Sequence, residues 1–174
     1  MPFHIGSATK STMNFIHQTG LYDIFDGKII FLSGSPVLDD KNGVPLGRLS
    51  GIVNHDVPNW LQANQMPTFE TNSISNWESK LDKVVDETLN EDMRLIGGIP
   101  PWVQMYYERL LSITGKATIL EVFPNYKLFV YGGVNYVPYR GQMEKLVGKG
   151  VYTLETYPAS EGFIAFQDQV ENVG

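Results

Sequence analysis

The residues best equipped for chemistry lie near position 160. Tyr157-Pro158-Ala159-Ser160-Glu161-Gly162 brings an aromatic ring, a hydroxyl and a carboxylate together just after the apolar run Val151–Thr156. A bound nucleotide needs a stacking surface, a phosphate contact and an attraction for Mg2+, and these side-chain types supply them. The same run also fits an ordinary polar connection between two strands. A second candidate, Gly132-Gly133, follows the apolar run Lys127–Tyr131. Paired glycines let another group come close to the backbone because neither carries a side chain. They suit a plain strand-ending turn equally well.

Other chemistry is sparse. There is no Gly-x-x-x-x-Gly-Lys-Ser/Thr loop, no Gly-x-Gly-x-x-Gly and no Gly-x-Ser-x-Gly elbow. Gly6-Ser7-Ala8-Thr9-Lys10-Ser11-Thr12 has the composition of a phosphate loop but no strand before it, and reads as a loop or helix start. His4, His17 and His55 lack metal-ligand spacing, and His55-Asp56 reads as a surface pair. Trp102, Tyr106 and Tyr107 fit the wall of an acyl pocket, or the core stripe that aromatic residues at helical spacing more often form.

The composition narrows the class. With 43% hydrophobic and only 18% charged residues, the chain has the material for a real core and too little charge for a disordered tail. A net charge of −6 argues against a general polyanion-binding surface, so no nucleic-acid partner is expected. The absence of cysteine excludes a disulfide framework, a thiolate zinc site and a cysteine nucleophile. Apolar runs such as Ile29–Leu32 are too short to cross a bilayer, and Met1–Gly6 does not read as a secretory signal. These features predict a cytoplasmic protein with no membrane partner.

The elements that must position the candidates follow from periodicity. Ser11–Leu21 predicts a short helix, and Lys28–Leu32 a strand stopped by Ser33-Gly34-Ser35-Pro36. Asn42-Gly43 signals a hairpin, and residues 54–72 read as loop or short helix. Ser75-Asn76-Trp77-Glu78 has the pattern of a capping box opening a helix. Trp77, Leu81, Val84, Val85, Thr88 and Leu89 form its apolar stripe, with Lys80, Asp82, Lys83, Asp86 and Glu87 on the wet face. Met93–Ile96 predicts a strand closed by Gly97-Gly98, and Pro100-Pro101 opens a helix that should stop at Gly115. A strand at Lys127–Tyr131, a helix at Pro138–Leu146 and strands at Val151–Thr156 and Phe163–Phe166 complete the order. Such alternation predicts an α/β fold, a mainly parallel sheet with covering helices, whose ligands sit at the carboxyl ends of the strands.

Two runs carry a family likeness. Tyr131-Gly132-Gly133-Val134-Asn135-Tyr136-Val137-Pro138-Tyr139-Arg140 and Glu155-Thr156-Tyr157-Pro158-Ala159-Ser160-Glu161-Gly162-Phe163 resemble the auxin-responsive acyl-acid amido synthetases. These are the plant hormone-conjugating enzymes and their bacterial relatives in the adenylate-forming superfamily. Ile99-Pro100-Pro101-Trp102, Leu111–Lys116 and Phe123-Pro124-Asn125 resemble the bacterial branch. The likeness covers most of residues 20–168 and is most specific at 131–163.

The resemblance implies roles. Gly132, Gly133 and Val134 would pack against the adenine of ATP, and Tyr157 would stack on it. Pro158 and Ala159 would shape the same binding segment. Ser160 would meet the α-phosphate and Glu161 would attract Mg2+. The reaction implied joins a small carboxylic acid to ATP as an acyl-adenylate, which an amino acid's amine then attacks. The family's Ser/Thr/Gly-rich phosphate loop, its ribose-binding aspartate motif and its lid domain with the catalytic lysine have no counterpart here. The expectation is therefore that residues 1–174 are an internal segment of the large N-terminal adenylation domain, which lacks the remainder of that domain as a partner. A fragment of an aryl- or acyl-CoA ligase and a non-catalytic structural module are the alternative readings.

Overall fold

The central strands of this protein read as continuous apolar runs because both of their faces are covered. In the computed structural model, which describes residues 2–47, 51–52, 57, 59–159 and 162–170, helix α1 (Pro2–Thr19) comes first. A 3-10 turn (Tyr22–Asp26) leads into β1 (Lys28–Leu32). The hairpin β2 (Asp39–Lys41) and β3 (Val44–Leu46) turns at Asn42-Gly43 as its sequence predicts. Then follow α2 (Asn59–Gln62), β4 (Gln65–Met66), α3 (Phe69–Asn72) and α4 (Trp77–Thr88). The rest alternates: β5 (Met93–Gly98), α5 (Pro100–Thr114), α6 (Ile119–Val122), β6 (Leu128–Gly132), α7 (Val137–Val147), β7 (Tyr152–Ala159) and β8 (Gly162–Phe166).

The main sheet has the strand order β4-β1-β5-β6-β7-β8, parallel throughout except for the antiparallel β7–β8 pair. This is the mainly parallel α/β fold that the alternation predicts. Successive side chains of a strand point to opposite faces, and each central strand divides its residues accordingly. Ile30, Leu32, Ile96, Phe129 and Tyr131 enter one core with Val84, Val85, Val103, Tyr106, Tyr107 and Leu110 of α4 and α5. Ile29, Leu95, Leu128, Val130 and Leu154 enter the other with Phe15 and Ile16 of α1.

Several local expectations shift. Helix α1 begins at Pro2 and absorbs Gly6–Thr12, where the Ser11 and Thr12 hydroxyls donate to the carbonyls of Ser7 and Ala8 (2.9 and 3.1 Å). Those hydroxyls are used inside the helix, so the run is not a phosphate loop. The cap of α4 is Asn76, whose side-chain oxygen accepts from the Ser79 N–H at 2.9 Å, and not Ser75. Gly97 and Gly98 belong to β5 itself. Tyr106 and Tyr107 are fully buried core residues, hydrogen-bonded to Thr88 and Tyr126 (both 2.6 Å) and unable to wall a pocket. No helix among the described residues is long and apolar enough to cross a membrane.

Candidate functional site

The parallel strands β1, β5, β6 and β7 end on the same edge of the sheet, the edge where open α/β sheets hold ligands. Gly132 closes β6 opposite Thr156 of β7, so the two sequence candidates come together there although Gly132 and Thr156 are far apart in sequence. A Cβ at Gly132 would overlap the Thr156 carbonyl oxygen, and Gly133 has φ +80° with Ile99 beside it. Both glycines are thus required by the backbone, whatever else approaches them. Val134 follows, with more than a third of its surface exposed, and the Asn135 side chain accepts from the Val137 N–H (3.0 Å) to start α7.

Tyr157, Pro158 and Ala159 are strand residues and not the loop that their composition suggests. Strand β7 outruns β6 and pairs onward with β8, Tyr157 opposite Ala165 and Ala159 opposite Gly162. An irregularity in register falls between Tyr157 and Pro158. It lies beyond the last β6 partner, where the missing proline N–H costs no ladder bond. Tyr157 is 55% exposed, a free aromatic face at the strand end. Ser160 and Glu161 lie outside the described residues, as does His55-Asp56.

Behind this edge the polar groups are committed to one another. The Thr156 hydroxyl donates to the Tyr131 carbonyl (3.2 Å), and the Tyr131 hydroxyl donates to Glu155 at 3.5 Å. Glu155 lies in β7, and its N–H donates to the Gln167 side chain at 3.0 Å. The Tyr131 and Tyr136 rings lie 4.3 Å apart, and the Arg140 guanidinium sits 5.9 Å from the Tyr136 ring centre. Burial, with Glu144 nearby, pushes the Tyr136 hydroxyl up to about 12, so it stays protonated. Among the described residues no cluster of three or more His, Cys, Asp or Glu could cage a metal.

A second arrangement, absent from the sequence reading, lies at the end of β1. An open groove of about 650 Å³ is lined by Ser33, Ser35, Asp39, Trp77, Lys80 and Trp102 among others. Lys80, assigned by periodicity to the wet face of α4, is only 3% exposed. Its ammonium donates to the carbonyls of Ser33 (2.9 Å) and Asn72 (2.8 Å). Burial lowers its pKa from 10.5 to about 8. Glu87 on the same helix, also expected to be wet, holds α3 in place by accepting from the Thr68 N–H (2.9 Å) and the Thr71 hydroxyl (2.5 Å). That clamp fixes the Asn72 carbonyl over Lys80. Trp77 and Trp102 pack with ring centres 4.7 Å apart. The Trp77 indole nitrogen and the Asn72 side-chain oxygen are buried without hydrogen-bond partners among the described residues. The sequence signal for Lys80 was its spacing. It lies three residues after Trp77 and four before Val84, within the apolar stripe.

Compared with protein-family models, curated proteins and solved structures, the chain matches none.

Proposed function

We propose that this chain carries the adenylate-holding part of an ATP-dependent acyl-acid amido synthetase. The observation that supports this reading best is the meeting of Gly132-Gly133 and Tyr157 at the carboxyl ends of adjacent parallel strands. The exposed Tyr157 ring suits a base-stacking platform. The exposed backbone of Gly133 and Val134, just past the end of β6, offers a surface for the flat face of an adenine. In this reading Ser160 binds the α-phosphate and Glu161 the Mg2+. Attack of a carboxylate on a triphosphate brings two anions together, and bound Mg2+ supplies the neutralising charge. The protein's own part is to orient the nucleotide and hold donors where charge develops. The substrates would be a small carboxylic acid and an amino acid.

The test is acid-dependent ATP–pyrophosphate exchange by the full-length protein. Glu161→Gln keeps the shape and removes the charge, so exchange should fall strongly and recover in part at high Mg2+. Ser160→Ala should cost on the order of 1.5–3 kcal/mol of transition-state binding, the value of a hydrogen bond to a charged group. Glu155, held in β7, serves as the internal control. Normal exchange by Glu161→Gln together with loss in Glu155→Gln would refute this assignment of the site.

A further inference from the structure

The Lys80 side-chain nitrogen is fixed in the way that a nucleophilic amine requires. It donates to the Ser33 carbonyl at 2.9 Å and the Asn72 carbonyl at 2.8 Å. Uncharged, an amine has two N–H groups and one lone pair. Two carbonyl acceptors therefore engage both N–H groups and leave the lone pair on the remaining side of the nitrogen. Both carbonyls are held: Ser33 follows directly on β1, and Asn72 ends the helix α3 that Glu87 clamps. The side chain is almost wholly covered by protein, yet Lys80 is part of the lining of an open groove. Loss of hydration disfavours its charged form and brings its pKa to about 8. Desolvated lysines of this kind are the ones that attack carbonyl carbons. The groove, about 650 Å³, has the size of a small-molecule site, and Trp77 and Trp102 give it an aromatic wall. Trp77 lies three residues before Lys80 on α4, on the same face of the helix. Asp39, exposed on β2, also lines the groove, and its charge disfavours an anion and suits a cation.

We propose that Lys80 is a covalent site, a reactive amine that forms an imine with an aromatic aldehyde lying against Trp77 and Trp102. The lone pair of Lys80 Nζ attacks the aldehyde carbon, and the π electrons of the C=O bond move to its oxygen. A proton passes from nitrogen to that oxygen, giving a carbinolamine. Loss of water then leaves a C=N bond, so nothing is oxidised or reduced and no further reactant is needed. The flat indole faces favour a planar ring on the aldehyde over a short alkyl chain. The protonated imine keeps the positive charge that Asp39 suits. This chemistry needs neither ATP nor Mg2+ and does not rest on the adenylation reading.

The test is reductive trapping of the chain with limiting benzaldehyde and cyanoborohydride near pH 8, where about half of Lys80 is uncharged. Hydride addition fixes the imine as a benzylamine, and mass spectrometry of the digested chain quantifies the label on each lysine. Lys80 should be labelled at least about tenfold faster than Lys83, an exposed lysine on the same helix. In denaturing urea that preference should vanish. Acetaldehyde, which has no ring, should show a weaker preference for Lys80. Trp102→Leu should lower the benzaldehyde preference to the acetaldehyde level. The main comparison is made on the unaltered chain, so it does not depend on any variant folding. A lysine acting only as a structural tie would be shielded by its carbonyl partners, and labelling of Lys80 no faster than Lys83 overturns the proposal. Equal preference with benzaldehyde and acetaldehyde overturns the aromatic half of it. A preference that survives in urea overturns the role of the fold.

Discussion

Gly132 and Thr156 face each other as the last register pair of β6 and β7, so close that a methyl group at 132 would overlap the Thr156 carbonyl oxygen. The Thr156 hydroxyl ties back to Tyr131, which fixes the two strand ends together at 3.2 Å. Gly132→Ala should therefore destabilise the protein by about 2 kcal/mol or more, because a backbone atom has no rotamer by which to yield. Gly133→Ala should cost about 1–2 kcal/mol through its positive φ alone. Urea unfolding measures both, and a neutral Gly132→Ala would show that the strand ends part easily.

The Tyr107 and Tyr126 hydroxyls satisfy each other at 2.6 Å in a fully buried core. Tyr126→Phe should cost about 1–3 kcal/mol by leaving the Tyr107 hydroxyl without a partner. Adding Tyr107→Phe should recover most of that loss. A double-mutant cycle checks the coupling, and strictly additive losses would contradict it.

Lys80 sets a pH dependence. Its pKa is about 8 in the fold against 10.5 as the ordinary value, so between those values the unfolded chain binds the extra proton. Stability should accordingly rise from pH 8 towards 10.5, by roughly 3 kcal/mol for this residue. The buried tyrosines act oppositely, since their raised values make stability fall once pH passes about 10. The Lys80→Met variant should lack the rise, and the difference between its pH–stability curve and that of the parent isolates Lys80. Parallel curves would mean that Lys80 keeps its ordinary pKa.

Among the described residues, β8 forms one edge of the sheet and exposes Ile164 (58%) and Phe166 (45%). An open edge with exposed apolar side chains is a template for pairing with another copy. The chain should self-associate in a concentration-dependent way by light scattering, and Ile164→Lys should reduce that association. A monomer at all concentrations would show that the edge is protected.

The sequence by itself determined the central strands, the longer helices and the class of sheet, but not the edge strand β4 or the short helix α6. Apolar runs such as Lys28–Leu32 and Lys127–Tyr131 mark strands covered on both faces, and the glycines and prolines punctuate them. Alternation with helices then requires parallel neighbours. It also marked Gly132-Gly133 and the run from Tyr157 as two candidates, which only the family resemblance joined into one site. That Gly132 stands opposite Thr156 was beyond it, because register depends on long-range pairing that local pattern does not encode. Composition also misread Tyr157-Pro158-Ala159 as loop, since only β8, pairing from the far side, extends β7 past its β6 neighbour. Lys80 shows the same limit most clearly. Charge places it in water by default, and only the tertiary arrangement of Ser33 and Asn72, on elements far apart in sequence, supplies the carbonyls that let an ammonium be buried.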